Sequence, residues 1–180
     1  MNRDASSALH PRLSHSAIAE LLTLQKRPAP FGPWIEQQKS GELRIEVALL
    51  HAGATVAGLS LRLSCHRERP LERIAIQLEV EAAGKPRPMA RVDWNGSVHG
   101  NTSPLAGPFQ SISAGRTHFH DPCLHDPERD PMDYLRDNLP VAAPIDAPCD
   151  SWMTVLEISG TLLNIDDLTL CPEPEWQPRL

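Results

Sequence analysis

From Glu42 to Trp94 the chain alternates apolar and polar residues with a period of two, which only half-buried β-strands satisfy. In "ELRIEVALL" the apolar set is Leu43, Ile45, Val47 and Leu49, and Glu42, Arg44 and Glu46 face the other way. "TVAGLSLRLSC" repeats the pattern with Leu59, Leu61, Leu63 and Cys65, "LERIAIQLEVE" with Ile74, Ile76, Leu78 and Val80, and "MARVDW" with Ala90, Val92 and Trp94. The breaks between them, "AGA", "HRERP" and "GKPRP", are turn-sized. Four strands in succession with short connections predict an antiparallel meander that buries one face.

Helical spacing flanks this region. "LSHSAIAELLTLQKR" sets Ala17, Ile18, Leu21, Leu22 and Gln25 on one stripe, with Ser14 or Ser16 as N-cap, and "PAPFGPW" stops it. "DPMDYLRDNL" predicts a short helix with Asp130 as N-cap, Pro131 at the first helical position and Asp133 in the first turn. "DSWMTVLEISGTLLNID" puts Trp152, Val155, Leu156, Ser159, Leu162 and Leu163 on a helical stripe behind Asp150, although Thr154, Val155, Ile158, Thr161 and Gly160 keep a strand open. The expected fold is α+β: an antiparallel sheet of about five strands with N-terminal and C-terminal helices on its apolar face. All 180 residues are expected in one domain, with a helical, Pro-rich lead-in over 1–40, a core over 41–170 and an extended tail over 171–180.

Composition narrows the function classes. A formal charge of -6 argues against a broad basic surface for nucleic acid, leaving only a local patch. No run suits a signal peptide or a membrane span, so a cytoplasmic protein without membrane association is expected. Cys65, Cys123, Cys149 and Cys171 form no C-x-x-C pair, which predicts reduced thiols rather than a zinc ribbon or thioredoxin-like motif.

The residues suited to chemistry cluster in "GRTHFHDPCLHD", residues 115–126, after a long Gly/Ser/Asn/Pro-rich loop over 95–115. With Arg116 to His120 as a fifth strand, Arg116, His118 and His120 share one face and Phe119 points inward with Thr117. The same parity turns Arg91, Asp93 and Asn95 outward on "RVDWN". If the two strands are neighbours these side chains meet, and His99 and Asn101 of "HGN" close over them. Three chemistries fit. An H-x-H pair with a third ligand from His99, Asp93, Asp121 or Cys123 would hold a divalent metal such as zinc. Paired histidines with Arg91 or Arg116 would serve metal-free acid/base cleavage of a phosphodiester. Arg and His would also bind a phosphate or carboxylate without turnover. The opposing possibility is a solvated polar loop. His10, His15, His51 and His66 read as surface or turn residues, and Trp94 and Trp152 as core.

The order of a strand meander, "RVDW", "HGN", "THFH" and a last amphipathic segment ending in "LLNI" resembles small bacterial proteins associated with toxin-antitoxin or phage-defence settings, over about residues 42–165. The resemblance implies a toxin-like or defence-related protein, with nucleic acid or a cognate protein as partner, and it implies no catalytic residue. The candidate site is therefore His118, His120, His99, Asp93, Arg91 and Arg116, acting on or binding a phosphate-bearing ligand. The alternative is a non-enzymatic interaction or regulatory module.

Overall fold

A computed structural model describes residues 13–38, 40–148 and 150–177. His10, Cys149 and the last three residues of the expected tail lie outside the described residues. In chain order the elements are α1 (His15–Thr23), β1 (Arg27–Pro28), β2 (Ile35–Gln37), β3 (Glu42–His51), β4 (Ala54–His66), β5 (Ile74–Ala82), β6 (Lys85–Trp94), β7 (His99–Gly100), β8 (Ser113–Gly115), β9 (His118–His120), α2 (Pro131–Arg136), β10 (Ala143–Pro144) and α3 (Trp152–Leu163).

The fold is α+β, built on a mostly antiparallel sheet. Its order is β1-β3-β4-β5-β6-β9-β10, with β2 also on β3, while β7 and β8 form a separate ribbon. The sheet thus has eight strands where five were expected. The added β1, β2 and β10 are two or three residues long, too short to carry a readable alternation, and their pairing follows from the free edges of β3 and β9. The long meander strands bury the side that the period indicates. Leu49, Leu61, Leu63, Ile76, Leu78 and Val92 are fully buried, each worth about 1.5–3 kcal/mol when removed from water. Ile18 of α1 and Trp152, Val155, Leu156 and Leu163 of α3 belong to the same apolar cluster.

Both long helices are closed by identifiable groups. Ser14 caps α1, its Oγ accepting from the Ala17 backbone N–H, and the helix ends at Thr23, before Gln25. Just beyond, Lys26 is 1% exposed and its Nζ donates to the carbonyls of Leu21, Leu22 and Leu24, acceptors that the helix end would leave unpaired. Ser151, rather than Asp150, caps α3, and Asn164 ends it in the left-handed region at φ 51°. The segment is helical from Trp152 to Leu163 rather than a strand, and Gly160 sits where the helix meets its own return: a Cβ there would lie 2.9 Å from the Ile165 carbonyl oxygen.

The tail is fastened over its described length. Trp34 donates to the Pro172 carbonyl, the Gln177 N–H to the Arg67 carbonyl, and Trp176 meets Trp152 edge-on. Cys65 and Cys171 are buried free thiols, both pushed up to about 12 by burial, and Cys123 is free and exposed. Among the described residues no helix is long and apolar enough to cross a membrane.

Candidate metal centre

The pairing of β6 with β9 builds the site. Arg91 lies opposite His120, Val92 opposite Phe119 and Asp93 opposite His118, so the side chains flanking Val92 and Phe119 project together from the face away from the apolar core. His118 and His120 are 3% and 0% exposed. "HFH" is therefore a buried strand, and the solvated-loop possibility does not describe it.

His99 joins from the ribbon. β7 pairs with β8, and His99 Nε2 donates to the Pro140 carbonyl at 3.2 Å. Beside it Asn101, fully buried, donates through Nδ2 to the Ala142 carbonyl and accepts the Ala142 N–H on Oδ1, both at 2.9 Å. The "HGN" triplet thus divides its work: one residue reaches the cluster and another stitches the loop to the segment before β10.

The three imidazoles form a triangle with ring centroids 5.1 Å (His99–His118), 4.8 Å (His99–His120) and 4.9 Å (His118–His120) apart. One nitrogen from each lies within 4.8 Å of the others. Asp93 Oδ2 sits 3.2 Å from His118 Nε2 and 3.1 Å from His120 Nε2. Arg91 Nε donates to that same oxygen at 2.9 Å, and Arg91 Nη2 lies 2.7 Å from His120 Nε2.

Hydrogen-bond polarity fixes the proton positions of the neutral rings. His118 Nδ1 donates to the Gly115 carbonyl at 3.1 Å, which leaves its lone pair on Nε2. A guanidinium only donates, so the neutral His120 ring receives Arg91 on an unprotonated Nε2 and carries its proton on Nδ1. His99, donating from Nε2, presents Nδ1. In that neutral state two imidazole lone pairs face the carboxylate oxygen, so the hydrogen bonds between Asp93 and the Nε2 atoms of His118 and His120 form only when a ring carries a proton there.

The electrostatics follow from burial and these neighbours. Burial alone raises the Asp93 pKa, but hydrogen bonds to His118 and His120 and the Arg91 charge outweigh it and hold the carboxyl well below the usual carboxylate range. Burial lowers the His120 pKa, aided by Arg91 and opposed by the hydrogen bond to Asp93. Burial likewise lowers that of His99. Both rings favour the neutral form that ligation requires.

Of the sequence candidates, Asp93, His99, His118, His120 and Arg91 come together. Arg116 does not join them: the backbone bends at Arg116 and Thr117, β9 starts only at His118, and the guanidinium donates to the Gly96 and Asn95 carbonyls. Asp121 caps the following 3-10 turn by accepting the Cys123 N–H at 2.8 Å, and Cys123 is exposed, so neither belongs to the histidine group. Arg73, Ser97 and Val98 line the same open depression of about 390 Å³ as Arg91, Asp93, His99 and His118. Ser97 and Val98 lie in the loop and have no periodic signal; Arg73 falls on the outward parity of "LERIAIQLEVE" but lies just before β5 begins at Ile74. Comparison of the chain with protein-family models, with curated proteins and with solved structures gave no match.

Proposed function

We propose that this protein is a divalent-metal hydrolase acting on a phosphate-bearing ligand, with zinc as the metal and His99, His118 and His120 as its ligands. One observation carries the reading: three imidazoles, His99, His118 and His120, converge with one nitrogen of each within 4.8 Å of the others, and the Asp93 carboxylate stands beside two of them. His99 and His118 share a habit of metal-binding histidines, a carbonyl on the far nitrogen that orients the ring, whereas His120 Nδ1 is buried with no partner among the described residues. The three histidine nitrogens, within 4.8 Å of one another, would draw inward on binding, since zinc bonds of about 2.0–2.1 Å in a tetrahedron put ligand atoms roughly 3.3 Å apart. The Asp93 oxygen already stands at that separation from two of the rings.

When bound, the metal supplies Lewis acidity and a lowered pKa for water. The chain does the rest. Asp93, kept ionised, accepts a hydrogen bond from the attacking water and orients it. Arg91 anchors Asp93 through Nε, and its Nη2, freed from His120 once that lone pair is taken, faces the ligand's negative charge. The order of "RVDW", "HGN" and "THFH" supports a toxin-antitoxin or phage-defence setting for this activity.

Elemental analysis of the purified protein and of a His118→Ala/His120→Ala variant, alongside hydrolysis of a chromogenic phosphoester, tests the proposal. Near-stoichiometric zinc and hydrolysis in the parent, both lost in a folded variant, are expected. A parent that takes up no divalent metal on dialysis against zinc overturns it.

A further inference from the structure

The depression beside the histidines holds a second cation that the chemistry above does not use. Arg91 is committed to Asp93, but Arg73 is exposed, lines the same depression and has no salt bridge among the described residues. Its backbone is held in a costly conformation. Leu71, Arg73 and Asn95 all have left-handed φ values, 55°, 52° and 47°, and none is glycine. They are tied to one another: the Arg73 N–H donates to the Asn95 carbonyl and Asn95 Nδ2 to the Leu71 carbonyl. Asn95 is fixed in turn from the β9 side, its N–H donating to Thr117 Oγ1 and its carbonyl accepting from Arg116. Strain kept by surrounding contacts is characteristic of positions that serve a site. Here it delivers to the rim of the depression a guanidinium with no ion-pair partner among the described residues.

Opposite in character, Val98 also lines the depression and is 69% exposed, an apolar side chain left in water directly before His99. The rim therefore offers a charge for an anion and a small greasy surface.

We infer that Arg73 is a substrate-binding residue and that the ligand is a small phosphomonoester with a flat apolar portion: the phosphoryl group meets Arg73 and the apolar portion rests on Val98. The inference rests on the hydrolase reading for its reaction but not for its binding. A guanidinium grips a phosphoryl group by paired N–H donors, and the volume suits a small ligand. The acidic net charge disfavours a polynucleotide.

Calorimetric titration of the full chain with phenyl phosphate and with inorganic phosphate, in metal-free and zinc-loaded samples, tests it. Arg73→Gln is expected to weaken both probes about tenfold or more. Arg73→Gly is expected to do the same while melting no lower than the parent, because glycine tolerates the backbone conformation; a residue with a purely structural role would not lose phosphate while keeping its melting temperature. Val98→Ser is expected to weaken phenyl phosphate about threefold or more and leave inorganic phosphate unchanged. Equal probe affinities in the parent and both Arg73 variants, or no binding by the parent, overturn the inference. Loss of zinc binding with Arg73-dependent phosphate binding intact would fell the metal reading and leave this one standing; zinc binding without Arg73 dependence would do the reverse.

Discussion

Asp93 and His118 face each other across the β6–β9 pair, with Oδ2 and Nε2 3.2 Å apart, and Arg91 grips the same oxygen from its own strand. The carboxylate is thus the common partner of a guanidinium and two imidazoles. Asp93→Asn keeps its shape and removes its charge. It should destabilise the fold by about 2 kcal/mol or more, since Arg91 is then left largely buried with no counter-charge. Zinc affinity should fall by about 10- to 100-fold. Urea denaturation reads the first effect and competition with a chromophoric chelator the second; unchanged values for both would show that the Asp93 charge matters to neither.

His125 provides a pH dependence that can be separated from the histidine cluster of His99, His118 and His120. It is 4% exposed, stacks on Tyr134 at 4.2 Å, and burial lowers its pKa to about 4. Unfolded, the ring titrates near 6.5. Between those values the unfolded chain takes up a proton that the fold refuses, so stability drops as pH falls from about 6.5 to about 4 and this contribution is flat below. The loss should reach about 3 kcal/mol. Unfolding free energies at pH 7 and 4.5 should differ markedly less in His125→Phe, which keeps a ring against Tyr134; an identical difference would assign the slope to other groups.

Lys26 closes the end of α1 with three donated hydrogen bonds, and burial lowers its pKa to about 8. Lys26→Met preserves the aliphatic stem and abandons three carbonyls. A cost of about 2–3 kcal/mol is expected, visible as a lower urea midpoint. Faster amide exchange at the last turn of α1 would place the damage there; an unshifted midpoint would mean that water replaces the ammonium without loss.

Gly160→Ala tests the return after α3 by the sign of its effect. Alanine is the better helix former by about 1 kcal/mol, so an unconstrained interior position would gain stability. Here the new methyl meets the Ile165 carbonyl oxygen at 2.9 Å, and overpacking of about 1–3 kcal/mol should outweigh the gain. Thermal unfolding at or above the parent temperature would contradict this.

The readable parts of the molecule are those where one local rule governs. Leu43 through Trp94 alternate as the sheet requires, and Ser14 and Asp130 cap helices at the expected places. Parity also placed Arg91 and Asp93 on the face of His118 and His120, because cross-strand pairing preserves it. What parity cannot convey is cover. Gln77 and Glu79 carry the outward period of β5 yet are buried, held by the Gln77–Glu79 hydrogen bond at 2.6 Å and the Arg62–Glu79 ion pair at 3.1 Å. Nor does it convey where a strand breaks. The bend after Gly115, at φ 74°, removes Arg116 from the row it would occupy in a continuous strand. Arg73 escapes notice for the same reason, its partner Asn95 being distant in sequence, and although "HGN" marks Asn101 for the site, loop composition carries no trace of its clamp on Ala142.

The ribbon that presents His99 has a further consequence for how such a site can vary. His99 is opposite Gly115, and Asn101 exchanges backbone hydrogen bonds with Ser111 and Ile112, so the loop over 102–110 leaves and re-enters through a closed neck. Within that neck Ala106 is fully buried and Leu105 packs against the core, so changes of length are best borne at the exposed Gly107 and Pro108, away from the Pro140 and Ala142 contacts that set the imidazole. The chain thus carries a loop whose exposed tip can vary beside the histidine cluster while its buried base keeps the cluster's geometry.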